Sequence, residues 1–138
     1  MKTIILYITL VLLSVNLSGQ NLLGYKAGRI EKYIGRNHED MVKEENSRNT
    51  HYRYLKYTDG TAGTSTVYFF LSEDNKCNRI KSMYVHGMRD EVQKELDGMY
   101  VKTGENTWSD REKGRDAVIK LVNGEWFFTV TIEPVKKK

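Results

Sequence analysis

Cysteine and proline are almost missing from this 138-residue chain, each occurring once, as Cys77 and Pro134. A lone cysteine excludes an intramolecular disulfide and any site built on paired thiolates, so the core must hold by packing, with Cys77 a small buried apolar residue. With the lone proline so near the C-terminus, nothing of that kind interrupts regular structure before residue 134. Charge of one sign is scarce as well: 22 Lys and Arg stand against 18 Asp and Glu, a net +4. The two signs alternate along most segments, and only 136–138 form a basic run, read as a solvated tail. A nucleic-acid binder carries a clustered basic stripe in its sequence, and none is visible, so no nucleic-acid partner is expected. Motifs for chemistry are absent too. There is no Gly-x-Ser-x-Gly elbow, and the glycines of DGTAGTS lack the lysine that a phosphate-binding loop requires, which leaves that segment a hairpin tip.

Long apolar stretches are confined to the beginning. Met-Lys precedes an almost unbroken apolar run over 4–13, followed by Ser14, Asn16, Ser18 and Gly19. A membrane-spanning helix needs about 20 apolar residues, so this shorter run reads as a secretory signal peptide, 1–20, cleaved near Gly19 or Gln20. Cleavage removes Lys2 and no acid, which lowers the net charge by one. The expected product is secreted or periplasmic. No cysteine follows the apolar run, so no lipid anchor is expected, and no later segment is apolar enough to span a membrane. The remaining residues, 21–138, make one domain of ordinary size.

Within it, Leu23, Ala27, Ile30 and Ile34 recur at helical spacing and line one face of a short helix that ends at Gly35. The polar segment 36–50 reads as a surface connection. HYRYLKYTDG reads as a strand with Leu55 and Tyr57 on one side, Tyr52 and Tyr54 on the other, and a turn at Asp59-Gly60. TVYFFL, 66–71, is a central strand, and 77–85 the next, although Asn78, Arg79 and Lys81 interrupt its alternation. A second helix, 87–98, is marked by Met88, Val92, Leu96 and Met99 at spacings of four, four and three, with acids early and Gly98 placed to stop it. Tyr100 to Val101 and the region around Trp108 form a short strand pair. The clearest signal is the ribbon 117–132, AVIKLVNGEWFFTVTI. Asn123-Gly124 suits a two-residue type I′ turn, which sets Leu121 against Trp126, Ile119 against Phe128 and Ala117 against Val130 on one apolar face. Trp126 and Phe128 are thus expected beneath the helices.

The fold class is α+β: an antiparallel sheet covered on one face by two short helices. Gly24 with Gly35 and Gly87 with Gly98 bracket the two helices at the same offset, which suggests an α-β-β-β duplication with halves 22–85 and 86–134. A short helix closing on Ile34-Gly35, then the HYRYLKY and TVYFFL strands, resembles the small secreted tandem α-β-β domains of the SmpA/OmlA outer-membrane assembly lipoproteins and the β-lactamase inhibitory proteins. That resemblance covers about residues 22–132 in element order and implies a protein-binding module. No functional residue matches, and the lipid-bearing cysteine of the lipoproteins is missing.

His38-Glu39-Asp40 is the densest local cluster of titratable groups. Adjacent loop residues rarely converge on one ion, so it reads as a solvated charge run, and no metal, cofactor or catalytic set is expected. Asp110 and Glu112 fall in a charged turn with nothing apolar to raise either pKa. The tyrosines are the better guide. Tyr52, Tyr54, Tyr68 and Phe70 form a candidate binding patch if one sheet face stays uncovered. The expected function is an exported, non-enzymatic module that binds a protein partner in the cell envelope. The alternative is a small secreted hydrolase using His38 or His51 with nearby carboxylates.

Overall fold

Strict alternation of buried and open side chains along the strands decides the architecture, because successive residues of a strand point to opposite faces of a sheet. The structure is a computed structural model and describes residues 21–44, 53–60, 65–111 and 116–136. The expected leader lies outside the described residues, as do His51, Tyr52, Glu112 and the loop 61–64. The chain runs α1 (Ala27–Asn37), β1 (Met41–Lys43), β2 (Arg53–Asp59), β3 (Ser65–Leu71), β4 (Cys77–Val85), a 3-10 turn (His86–Met88) and α2 (Arg89–Met99). It continues through β5 (Val101–Gly104), β6 (Thr107–Asp110), β7 (Ala117–Asn123) and β8 (Phe127–Pro134). All eight strands form one antiparallel sheet in the order β1-β2-β3-β4-β8-β7-β6-β5. This is the expected mixture of helices with an antiparallel sheet, richer in strand than the sequence suggests.

A helix followed by four strands occurs twice, in place of the expected three in the first half. The additional strand, β1, lies in the polar stretch read as a loop. Met41, Val42 and Lys43 pair with Asp59, Thr58 and Tyr57 at the edge of the sheet, where a short polar strand suffices because only one side is bonded. The first helix also starts later than its apolar spacing implies. Gly24 takes a left-handed φ of 81°, and its N–H donates to the Cys77 carbonyl at 2.8 Å while the Ala27 N–H donates to that of Asn75 at 3.1 Å. These bonds tie 24–27 to the start of β4. Leu22 and Leu23 are buried ahead of the helix rather than within it.

Ile30 and Ile34 of α1 and Val92 and Leu96 of α2 join Phe69, Ile80, Trp108, Ile119, Phe128 and Ile132 in one buried cluster. In this cluster the Trp108 indole N–H donates to the Asp97 carboxylate of α2 at 2.9 Å, and Tyr84 stacks on Phe128 with ring centroids 5.2 Å apart. Asp90 and Glu91 in the first turn of α2 complement its dipole.

The ribbon corrects one specific expectation. Leu121 faces Val130 in place of Trp126, and Ile119 faces Ile132 in place of Phe128. The strands close around Glu125 and Trp126, with the Gly124 N–H donating to the Phe127 carbonyl at 2.8 Å. Neither Asn123 nor Gly124 has a positive φ. Gly124 is instead required by proximity, since a Cβ there would lie 2.6 Å from the Phe127 carbonyl oxygen. The displacement is an even number of residues, so the faces are preserved: Ala117, Ile119, Leu121, Phe128 and Val130 are all buried as expected. Trp126, however, moves into the turn and is 75% exposed, while Trp108 is 0% exposed and fills the core. The observed register buries Ile132 between Ile119 and Ile80, a contact that the other would have left past the end of the ribbon.

Candidate functional site

The same pleat that fills the core decides what stands on the opposite face. Leu55, Tyr57, Val67 and Phe69 are buried, so Tyr54, Lys56, Tyr68 and Phe70 must point the other way, and all four are half-buried. Cys77, Ile80, Ser82 and Tyr84 do not keep one phase along β4. The register breaks between Phe70 and Leu71, which pair with Arg79 and Cys77, so Asn78 is an extra residue in a β-bulge. Beyond it Arg79, Lys81, Met83 and Val85 fall on the open face. The residues that seemed to interrupt the strand are its outward members.

Pairing then assembles rows that no local stretch of sequence contains. Lys56, Tyr68, Lys81, Thr131, Lys120 and Thr107 lie opposite one another in turn across β2, β3, β4, β8, β7 and β6. In the neighbouring row Tyr54 opposes Phe70, which opposes Arg79. Tyr54 sits edge-on to Tyr68 at 5.6 Å and tilted to Phe70 at 6.1 Å. Tyr68 and Phe70 lie nearly parallel at 6.1 Å. The Arg79 guanidinium covers the Phe70 ring at 4.2 Å, and the Lys56 ammonium is 5.5 Å from the Tyr68 ring. Lys56 also pairs with Glu44 at 2.9 Å. The hydrogen bond to that carboxylate holds its pKa above the ordinary lysine value. Among the described residues Lys81 and Lys120 have no ion-pair partner. A shallow cavity of about 580 Å³ opens beside Phe70 and Arg79, lined also by Arg53, Leu71, Glu73, Glu133 and Lys136.

Three members of the expected patch, Tyr54, Tyr68 and Phe70, are therefore brought together on one face, and Tyr52 lies outside the described residues. The remaining tyrosines divide. Tyr57 and Tyr84 are buried, and burial raises both phenol pKa values, that of Tyr57 to about 12. The cations of the row were missed by sequence reading because the bulge at Asn78 hid the alternation of β4. The signal was there in Arg79 and Lys81 at a spacing of two.

The histidine cluster is not drawn together. His38 caps α1, its N–H donating to the Ile34 carbonyl at 2.8 Å, and its ring lies 5.8 Å from that of Tyr33. Its Nε2 is buried without a hydrogen-bond partner among the described residues. Burial lowers its pKa, and the nearby Asp40 carboxylate pulls in the opposite direction. Glu39 and Asp40 are exposed. Asp110 accepts a hydrogen bond from the Asn21 amide at 2.8 Å. Among the described residues no three His, Cys, Asp or Glu side chains are grouped to hold a metal ion, and no helix is long and apolar enough to cross a membrane. No family model, curated protein or solved structure matches the chain.

Proposed function

We propose that this chain is an exported, non-enzymatic binding module that recognises a protein partner through the sheet face bearing Tyr54, Tyr68 and Phe70. The observation that carries the reading is the clustering of three aromatic rings with Arg79 on a face whose side chains do not enter the core. Tyr supplies large contact area at modest entropic cost, and Tyr and Arg are enriched among the residues that dominate binding energy where two protein surfaces meet. The two helices, with Ile30, Ile34, Val92 and Leu96 in the buried cluster, serve as cover for the opposite face. A helix followed by four strands, occurring twice, supports a duplicated unit. The leader-like sequence of 1–20 supports a partner in the cell envelope or outside it.

The test is site-directed photocrosslinking in the cell envelope, with the reactive residue at Thr66, two positions from Tyr68 on the same face of β3. A reproducible crosslinked protein is expected for the otherwise unaltered chain. It should be lost in a Tyr54→Ala, Tyr68→Ala, Phe70→Ala variant whose circular dichroism and melting temperature remain close to those of the parent. Failure to recover any species, or equal yield from both chains, would sink the proposal.

A further inference from the structure

We infer that the partner presents an acidic protein surface, and that the row Lys56, Lys81 and Lys120 with Arg79 selects it. The inference rests on the binding reading above and specifies the chemistry of that same face. Pairing across β2, β4 and β7 collects into one line three lysines that are far apart in sequence. Lys56 is already answered by Glu44, but Lys81 and Lys120 have no carboxylate partner among the described residues. The acids of α2, Asp90, Glu91 and Asp97, are exposed and belong to an element packed in the buried cluster. Two lysines of one row without an ion-pair partner among the described residues speed encounter with negative surfaces and disfavour positive ones.

Aromatic rings beside cations on a sheet are also how single-stranded nucleic acids are bound, by stacking of bases on free ring faces. Here the stacking surface is occupied. Arg79 covers Phe70 at 4.2 Å, and Tyr54 presents to Tyr68 edge-on. Such a surface offers ring edges, phenol hydroxyls and ammonium groups, alternating with the short hydroxyls of Thr107 and Thr131. Carboxylates and apolar side chains of a protein fit that pattern better than a run of bases.

The experiment places the photoreactive residue at Thr131, in the middle of the row, in the full-length exported chain. Crosslink yield should fall about tenfold when salt is raised from about 50 to about 500 mM, which shortens the screening length from roughly 14 to roughly 4 Å. The Lys81→Glu, Lys120→Glu variant should show a similar loss at low salt, and Lys81→Arg, Lys120→Arg should retain the crosslink. Poly-L-glutamate should compete with it. If salt and charge reversal leave the yield unchanged while the Tyr54, Tyr68 and Phe70 variant abolishes it, the face is an interface but its partner is not acidic. Absence of any crosslink at low salt removes both proposals. Tighter binding of an oligothymidylate than of poly-L-glutamate, or a crosslinked product that proves to be a second copy of this chain, overturns the acidic-protein assignment.

Discussion

Replacing each tryptophan by alanine separates the observed ribbon register from the one that Asn123-Gly124 suggests. Trp108 is 0% exposed and its indole N–H is bonded to Asp97, whereas Trp126 is 75% exposed in the turn. Emptying a buried Trp site typically costs about 3–5 kcal/mol through lost transfer energy and the cavity left behind. Loss of the hydrogen bond adds little, because Asp97 is exposed and regains water. For a domain of this size about 4 kcal/mol corresponds to a fall in melting temperature of roughly 12–20 °C, and it removes a large part of a total stability of about 5–15 kcal/mol. Trp126→Ala should change stability by no more than about 0.5 kcal/mol, as exposed positions usually do. Urea denaturation of the two variants gives the comparison. Because the chain has only these two tryptophans, fluorescence adds an independent reading. A Trp126→Phe variant should emit at short wavelength and resist acrylamide, and a Trp108→Phe variant should emit at long wavelength and be quenched readily. Trp126→Ala as the more damaging change, or a shielded Trp126, would refute both the register and the burial argument.

Three further outcomes follow from the same packing. Cys77 is 3% exposed and burial pushes its thiol pKa up to about 12, so Ellman's reagent at pH 8 should label it slowly in the native protein and at once in urea; fast native labelling would contradict its burial. Burial keeps His38 neutral against the opposing influence of Asp40. The unfolded chain takes up that proton first, so stability should be full above the ordinary histidine value of about 6.5 and should drop as pH falls below it. A urea series against pH should show a weaker drop in His38→Gln, and an identical profile would exclude this residue as the cause. Gly124→Ala would bring a Cβ to 2.6 Å from a backbone oxygen, which should cost about 1–3 kcal/mol in chemical denaturation. No loss would mean that the turn is not as tight as described.

Periodicity made most of the elements legible, because helical and strand faces announce themselves by spacing alone. The buried set Ile30, Ile34, Leu55, Tyr57, Val92 and Leu96 could be read that way. Two things could not. Met41–Lys43 has neither length nor apolar pattern, and it becomes a strand because the edge of β2 is available to it. The ribbon register was misjudged because turn propensity was weighed against nothing, while in the folded chain burial of Ile132 between two strands outweighs the preference of Asn-Gly for the turn centre. For the candidate site, the aromatic patch was visible in β2 and β3, but the lysine row was not. A row across six strands exists only after strand order is known, and that order depends on contacts distant in sequence.

The adjacency of β4 and β8 makes the last of these eight strands to be synthesised the one that fills a central vacancy. Until it arrives, β4 and β7 each present a row of unanswered amides and carbonyls, with Ile80 and Ile119 beside them. A nascent chain arrested before residue 127 therefore carries two sticky internal borders, a standing invitation to intermolecular strand exchange. Closure joins segments separated by the whole of the second half, so it should be among the slowest events of folding. The same gap can accept the identical strand from another molecule, which makes exchange of β8 between chains the characteristic failure of this topology.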